Sequence, residues 1–377
     1  MDTRRDGEAA DGSTARVAFV LEQTLGHVTH SKNLTALLPE AARDLGIEPI
    51  FVPIPFELGA AGRIPGWSNW TVRAGVRARR ALRPMDDVDA LFVHTQVSAG
   101  LLGGWMSRVP TVLSLDATPL QYDQLGEAYA HEPRAQLVER AKHHHQRAVF
   151  RRARRFVTWS SWARADLAAS YGVDADLVTV IPPGVDVEAW RPHPRSDDGP
   201  LQVLFVGGDL RRKGGDLLVE ACAHLRADDT MPEFVLHLVT GSDVEPGPGV
   251  EVHRGLTPNS PELVARFEAA DVFCLPTLGD CLPLVLAEAG AAGLPLISTD
   301  VGAISEIVRP GATGELVEPG DVDGLTAALR SLLTDAPRRA AMGERARALV
   351  EREHDAKRNA VRLLDVVGLV LGERRPS

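Results

Sequence analysis

The sequence predicts an α/β protein built from two doubly wound domains that face each other across a cleft. Its 377 residues are enough for two domains, each with its own core. Short apolar runs alternate with helical segments in both halves of the chain, as in doubly wound sheets. A proline-rich polar stretch at residues 191–200 interrupts the alternation, which then starts again. We therefore predict a disordered N-terminus at residues 1–14, one domain over residues 15–190 and a second over residues 191–353.

Composition and charge argue against several classes of protein. Apolar residues make up 44% of the chain and charged residues 24%, which is ordinary for a globular protein. The formal net charge of −10 argues against a nucleic-acid partner. The polar N-terminus has no apolar segment after it, and no apolar run approaches the length of a membrane span, so we expect neither a signal peptide nor a transmembrane helix. We predict a cytoplasmic protein whose three cysteines, none in a Cys-x-x-Cys pair, are reduced.

Apolar runs in the N-terminal half predict the strands of a parallel sheet. They lie at residues 16–21, 50–54, 89–94, 110–115, 156–159 and 178–181. Helices are predicted from about residue 31, over 70–83, over 134–155 and after a cap at residue 160 or 161, with a long loop at 56–69 and a polar turn at 95–98. The arginines of the second and third helices indicate solvated basic faces. Weak peripheral contact with a membrane or an anionic acceptor is the alternative.

Several N-terminal side chains are candidates for contact with a ligand. Gly26 lies in the turn after the first strand, where a missing side chain lets a ligand approach the backbone. His27 and His30 flank that turn, and they either cap or cover the next helix or touch a substrate. Asp116 follows a strand at its carboxyl end, where α/β proteins bind ligands. The consecutive histidines at residues 143–145 point in different directions on a helix and therefore do not predict a metal site.

The pattern of strands and helices repeats in the C-terminal half. Strands are predicted at residues 201–206, 234–239, 250–254, 272–275, 294–298 and 314–317, and helices at 216–226, 261–270, 284–292, 301–308, from 321 onward and at 354–371. The turn after the first of these strands is rich in glycine and carries Arg212 and Lys213, which can neutralise a diphosphate. The turn lacks the Gly-Lys-Ser/Thr end of a Walker A motif and is not Gly-x-Gly-x-x-Gly. A basic surface turn is the alternative.

The stretch at residues 275–300 offers both halves of a nucleotide-diphosphate site. It reads as strand, polar turn, helix and strand, with Pro283 at the first position of the helix. A helix N-terminus beside the end of a parallel strand binds phosphate readily. Asp280 and Glu288 bracket that N-terminus, and a carboxylate there can hold the hydroxyls of a ribose. Ordinary surface carboxylates are the alternative.

Four segments together resemble the retaining glycosyltransferases of family 4, which have the GT-B fold with two Rossmann-like domains. They are GGDLRRKGG at 207–215, VIPPGVD at 180–186, the acid-and-helix segment DCLPLVLAE at 280–288, and GAAGLPLISTDVGAISEIV at 290–308. The resemblance covers residues 16–370 and implies an N-terminal acceptor domain, a C-terminal donor domain and a last helix, 354–371, that packs back on the N-terminal domain. It implies transfer of a hexose from a UDP-, GDP- or ADP-linked donor to a hydroxyl of a glycan, lipid or small molecule, with retained configuration and with no metal or other cofactor.

The resemblance also implies roles for the donor-side residues. The family usually has two glutamates separated by seven residues, and here Asp280 and Glu288 take those places. Glu288 is expected to hold the ribose, Asp280 to lie near the donor sugar, and Lys213 to bind the diphosphate. The backbone around Leu282, Pro283 and Leu284 is expected to take phosphate or sugar oxygens. The family's arginine in the glycine-rich turn is replaced by Gly208, so Arg212 is the candidate for its role, and Gly26 matches the first turn near the donor phosphates.

On the acceptor side the resemblance is less complete. The family often has a histidine at the end of the fifth N-terminal strand, and Asp116 takes that place here, where it either orients or deprotonates the acceptor beside His27. The basic helices would allow a position at the inner face of the membrane. A nucleotide-sugar epimerase, a glycan phosphorylase and a non-catalytic nucleotide-sugar-binding protein are the alternatives, and the sequence predicts no oligomeric state.

Overall fold

The computed structural model describes residues 14–24, 26–56, 70–126, 136–193 and 199–373. The predicted disordered N-terminus, most of the predicted loop at 56–69, the first residues of the predicted helix 134–155 and part of the predicted linker 191–200 lie outside these ranges. Where the two domains begin and end stays a prediction. In the part of the chain that is described, no helix is long and apolar enough to cross a membrane.

The first half of the chain forms a parallel six-stranded sheet in the order β2-β1-β3-β4-β5-β6. Its strands are β1 (Ala15–Gln23), β2 (Ile47–Pro55), β3 (Ala90–His94), β4 (Thr111–Leu115), β5 (Arg155–Thr158) and β6 (Val178–Val180). Its helices are α1 (His27–Arg43), α2 (Trp70–Leu82), α3 (Gln96–Ala99), α4 (Gly103–Met106), α5 (Pro119–Gln124), α6 (Gln136–Phe150) and α7 (Ser161–Tyr171). The strand order reverses between β1 and β3, and the turns after those strands therefore open into a crevice.

The second half forms another parallel six-stranded sheet, in the order β12-β11-β10-β7-β8-β9. Its strands are β7 (Leu201–Val206), β8 (Phe234–Val239), β9 (Val250–His253), β10 (Val272–Leu275), β11 (Leu296–Thr299) and β12 (Gly314–Val317). Its helices are α8 (Gly215–Arg226), α9 (Pro261–Ala269), α10 (Leu284–Ala291), α11 (Val322–Thr334), α12 (Ala336–Glu353) and α13 (Ala356–Gly372). Here the order reverses between β7 and β10. The predicted α/β class with two doubly wound sheets is confirmed.

The last helix returns to the first sheet. Leu364 and Val367 of α13 are fully buried in one apolar cluster with Phe19 of β1 and Phe92 of β3. Each such side chain stabilises the packing by about 1.5–3 kcal/mol. The second half of the chain therefore completes the core of the first.

Two further contacts hold the halves together. The segment after β6 pairs with the segment before α13, where the N–H of Val185 donates to the carbonyl of His354 over 2.8 Å. Glu306 of the second half accepts hydrogen bonds from the backbone N–H groups of Ser161 and Trp162 at 3.0 and 2.9 Å. A carboxylate at this N-terminus of α7 satisfies amides that have no partner within the helix.

The structure corrects several boundaries. The first helix begins at His27 rather than near residue 31, so His27 and His30 belong to its first turn and are buried. Residues 95–98, predicted as a polar turn, contribute to the short helix α3. The helix predicted over 134–155 ends at Phe150, and Arg155 already belongs to β5.

The helix predicted over 301–308 is a single 3-10 turn, Ile304–Glu306. Gly302 has a φ of +59°, which is outside the helical region. A Cβ on Gly302 would lie 2.3 Å from the carbonyl oxygen of Asp280. The segment gives up helical geometry here because it packs directly against the loop that carries Asp280.

Candidate active site

Turns after strands of both sheets line one cavity of about 710 Å³. All ten residues predicted to form the site contribute to its wall. They are Gly26, His27, Asp116, Arg212, Lys213, Asp280, Leu282, Pro283, Leu284 and Glu288. They meet because β1 and β4 in one sheet, and β7 and β10 in the other, end at this cleft.

A buried ion pair forms the N-terminal wall. Nε2 of His27 lies 3.2 Å from Oδ2 of Asp116, and the hydroxyl of Tyr122 donates to the same oxygen. Burial lowers the pKa of His27, but the negative charge and hydrogen bond of Asp116 outweigh it, so the pKa is raised above its usual value. Burial likewise raises the pKa of Asp116, and His27 outweighs it, so that pKa is lowered. Each member of the pair therefore favours the charged form of the other.

The other ring nitrogen of His27 is enclosed by the protein. Nδ1 of His27 is buried and has no hydrogen-bond partner among the residues that the structure describes. Behind His27 lie His94 and Trp159, whose rings stack at 5.3 Å with an angle of 11°. Burial lowers the pKa of His94 far below its usual value, so this neighbour stays neutral. His27 thus faces the cavity beside Asp116 and Tyr122, with the ring of Trp159 in the same wall.

The basic turn after β7 forms the opposite wall. Nζ of Lys213 donates to Oδ2 of Asp280 over 2.6 Å, and Nη1 of Arg212 lies 3.3 Å from Oδ1 of the same carboxylate. Arg212 also donates to the carbonyl of Gly279 over 2.8 Å. Gly214 closes the turn with a φ of +72°, and a Cβ there would lie 1.9 Å from the carbonyl oxygen of Pro276. The glycine therefore brings the two cations against the loop after β10.

The loop after β10 leads into α10 beside these cations. Pro283 was predicted as the first helical residue, but its ψ of 118° is extended, so it precedes the helix, which begins at Leu284. This is the ordinary conformation of a residue that caps a helix N-terminus. The positive end of α10 and the cations of the basic turn thus border the same part of the cavity.

Glu288 is the other carboxylate of the donor side, and its surroundings differ from those of Asp280. Its side chain has no hydrogen bond or ion pair to any residue in the described ranges, and the residue is 6% exposed. Burial raises the pKa of Glu288 to about 7. A carboxyl group that is half protonated at neutral pH can both donate to and accept from a hydroxyl.

Two hydroxyl groups that hydrogen-bond to the aspartates of the site were not predicted from the sequence. Tyr122 reaches Asp116 from α5, a helix that the Thr118–Gln121 capping box would have predicted. The hydroxyl of Thr277 donates to Oδ2 of Asp280 over 2.8 Å. The resemblance placed Asp116 after the fifth N-terminal strand, but in the structure Asp116 follows the fourth strand, β4.

Comparison with known proteins agrees with this architecture. Residues 34–189 match the family model described as Glycosyltransferase Family 4, and residues 186–349 match the one described as Glycosyl transferases group 1. The D-inositol 3-phosphate glycosyltransferase of Pseudarthrobacter chlorophenolicus is 30% identical over 306 residues, which are 75% of this chain and 71% of that protein.

Two solved structures share the fold. Sucrose-phosphate synthase from Thermosynechococcus elongatus superposes with a TM-score of 0.75 at 19% identity, over 96% of this chain and all of that one. HepE of Anabaena, solved in complex with UDP-glucose, superposes with a TM-score of 0.67 at 15% identity, over 94% of this chain and 99% of that one. These likenesses confirm the GT-B fold. The chain therefore belongs to glycosyltransferase family 4.

Proposed function

We propose that this glycosyltransferase moves a hexose from a nucleotide-diphosphate sugar to an acceptor hydroxyl and retains the anomeric configuration. One observation carries the proposal. Lys213 and Arg212 lie beside the N-terminus of α10, in one cavity with the buried Glu288. Cations and a helix N-terminus suit a diphosphate, and a partly protonated carboxyl suits the hydroxyls of a ribose. The UDP-glucose bound by HepE supports a donor of this class.

The donor's diphosphate takes the place that the Asp280 carboxylate now occupies between the two cations. Lys213 and Arg212 contact Asp280 directly, so an anion of higher charge competes with that carboxylate for them. Preorganised cations of this kind stabilise the charge that develops on a leaving group. Removing one such donor costs about 10²–10³-fold in kcat.

The acceptor enters from the wall formed by His27 and Asp116. The ring of His27 lines the cavity where the acceptor approaches, and Asp116 orients that ring. The bond from the anomeric carbon to the diphosphate oxygen breaks while the bond to the acceptor oxygen forms on the same face. The acceptor's proton passes to a phosphate oxygen of the leaving group. Asp116 thus acts as an orienting group. Residues 15–190 and 191–353 serve as acceptor and donor domains that close about residues 186–200.

The test begins with a panel of UDP-, GDP- and ADP-linked hexoses, scored by thermal stabilisation of the protein. Mass spectrometry then detects transfer to hydroxyl acceptors, and NMR coupling constants give the configuration of the product. Lys213→Ala is expected to lose about 10²–10³-fold in kcat. The matched control, Lys357→Ala, removes a lysine from an exposed ion pair with Glu188 and should leave transfer unchanged.

Each alternative gives a different result. An epimerase isomerises the donor without an acceptor, a phosphorylase requires inorganic phosphate, and a binding protein is stabilised without forming product. Inverted configuration in the product would contradict the proposed mechanism. Equal activity of the two lysine variants would contradict the proposed diphosphate site.

A further inference from the structure

A second polar cluster lies where β8 and β9 form the edge of the second sheet. It consists of His237 on β8 and of Glu251 and His253 on β9. The parallel register pairs His237 with Glu251. Side chains two residues apart on a strand share a face, so all three project from the same side of the sheet. None of them has a part in the proposed transfer.

The potential ligand atoms of the cluster form a compact triangle. Nδ1 of His237 lies 3.0 Å from Nε2 of His253 and 3.4 Å from an oxygen of Glu251, and the third side, from His253 to Glu251, is 3.8 Å. Ligand atoms at about 2.0–2.1 Å from a tetrahedral zinc ion lie roughly 3.3 Å from one another. The triangle therefore matches one face of a zinc coordination tetrahedron.

A neighbouring side chain fixes which nitrogen of His237 is free. The amide nitrogen of Gln202 donates to the carbonyl of Pro200 over 2.6 Å, so the amide oxygen of Gln202 faces Nε2 of His237. An acceptor at Nε2 places the ring proton there and leaves the lone pair on Nδ1, which points at His253. Histidine ligands of metals are oriented in this way by a carbonyl or carboxylate behind the ring.

The surroundings also suit a cation. The side chain of Glu251 is 58% exposed, which gives an ion a path from solvent. Two histidines and one carboxylate are a ligand set of zinc sites that keep the fourth position open.

We propose that His237, Glu251 and His253 bind a zinc ion with its fourth position open to solvent. Such an ion clamps the four-residue edge strand β9 to β8. His253 also lines the cleft, together with Gly255 and Leu256 just beyond the strand. The site therefore braces the segment that forms this part of the cleft wall. It stands independently of the sugar donor and acceptor.

The test uses the full chain, stripped with a chelator and titrated with zinc alone by calorimetry, with the bound metal counted after dialysis. One zinc per chain is expected, with a rise in Tm that depends on zinc concentration. Glu251→Gln changes an exposed side chain, and it should weaken zinc binding by more than the roughly 10–100-fold that loss of an orienting partner costs. Gln202→Ala should weaken it by roughly 10–100-fold, as loss of an orienting partner does.

The control is His144→Gln, which removes an exposed histidine from the three-histidine run of α6 and should bind zinc like the wild type. Substituting cobalt should give the visible absorption of a tetrahedral site, and Glu251→Gln should abolish it. Failure of the wild type to bind zinc, or equal affinity in wild type and Glu251→Gln, overturns the proposal. The contact between the two histidines would then be a simple hydrogen bond, donated by Nε2–H of His253 to Nδ1 of His237.

Discussion

Replacing Glu288 with Gln should stabilise the ligand-free protein and impair the enzyme. Glu288 is buried, and burial raises its pKa from 4.5 to about 7. The folded chain therefore holds this proton more tightly than the unfolded chain does. Glutamine keeps the shape but cannot ionise, and it replaces one carboxyl oxygen with an NH2 group that only donates.

The size of the effect follows from the pKa. Below pH 4.5 the carboxyl is protonated in both states and costs nothing. As the pH rises, the unfolded chain releases the proton first, so the stability of the wild type falls until the folded pKa of about 7 is passed. Each unit of pKa is worth about 1.4 kcal/mol, so ionised Glu288 costs about 3 kcal/mol at pH 8.

The assay compares Tm of the wild type and Glu288→Gln between pH 5 and pH 8. We expect the variant's advantage to be small at pH 5 and to reach several degrees at pH 8, at about 2–4 °C per kcal/mol. The transfer activity of the wild type should fall between pH 5 and pH 8. The control is Glu262→Gln, at an exposed position on α9, which should change neither property.

Two results would refute this reasoning separately. A stability difference that does not depend on pH would mean that Glu288 ionises normally in the folded protein. Unchanged donor affinity would mean that Glu288 does not contact the ribose. A sharper version compares UDP with 2′-deoxy-UDP, since a variant that has lost the ribose contact should no longer distinguish the two.

Three further predictions concern the donor side. A Cβ on Gly26 would meet no atom within 4 Å, and the φ of Gly26 is −63°. Gly26→Ala should therefore leave Tm unchanged, but it should weaken donor binding by about tenfold because the methyl group occupies space that the donor needs. The control Gly104→Ala adds a methyl group at an equally open position and should change neither Tm nor donor binding. Arg212→Ala should lower kcat/KM by about 10–100-fold. Adding Gly208→Arg should restore part of the lost kcat/KM, because a side chain at position 208 meets no atom within 4 Å of its Cβ. Lack of rescue in a folded double variant would contradict the proposed role of Arg212. Asp280→Asn removes the carboxylate that competes with a diphosphate for Arg212 and Lys213. It should therefore strengthen inhibition by the product nucleoside diphosphate by about tenfold and slow turnover. Weaker inhibition of the variant would contradict this prediction.

The sequence predicts most of the fold because buried parallel strands leave a strong local signal. The run at residues 272–275 is apolar on both faces and that at 201–206 is apolar except for Gln202, and the strands β7 and β10 have the predicted bounds. Helix boundaries were less accurate where tertiary contacts decide them. Gly302 breaks a helical pattern because it packs on the loop of Asp280, and no local propensity carries that information.

The site was predictable to the extent that topology alone determines it. Turns at the carboxyl ends of adjacent parallel strands meet wherever the strand order reverses, which is why Lys213 and Asp280 come together. Contacts that depend on register and on side-chain rotamers were not predictable. The contact between His237 and His253 depends on the register of β8 against β9, and the separation of the two histidines along the chain does not predict it.

The two donor-side carboxylates are alike in sequence and opposite in environment. Asp280 forms ion pairs with Lys213 and Arg212, whereas Glu288 is buried without a partner in the described residues and burial raises its pKa to about 7. Carboxyl groups with such different surroundings are suited to different tasks. An anion held between cations can be displaced by a diphosphate, and a neutral carboxyl can donate to a ribose hydroxyl. The interval of eight positions is therefore useful because only the second acid lies inside the helix, away from the basic turn.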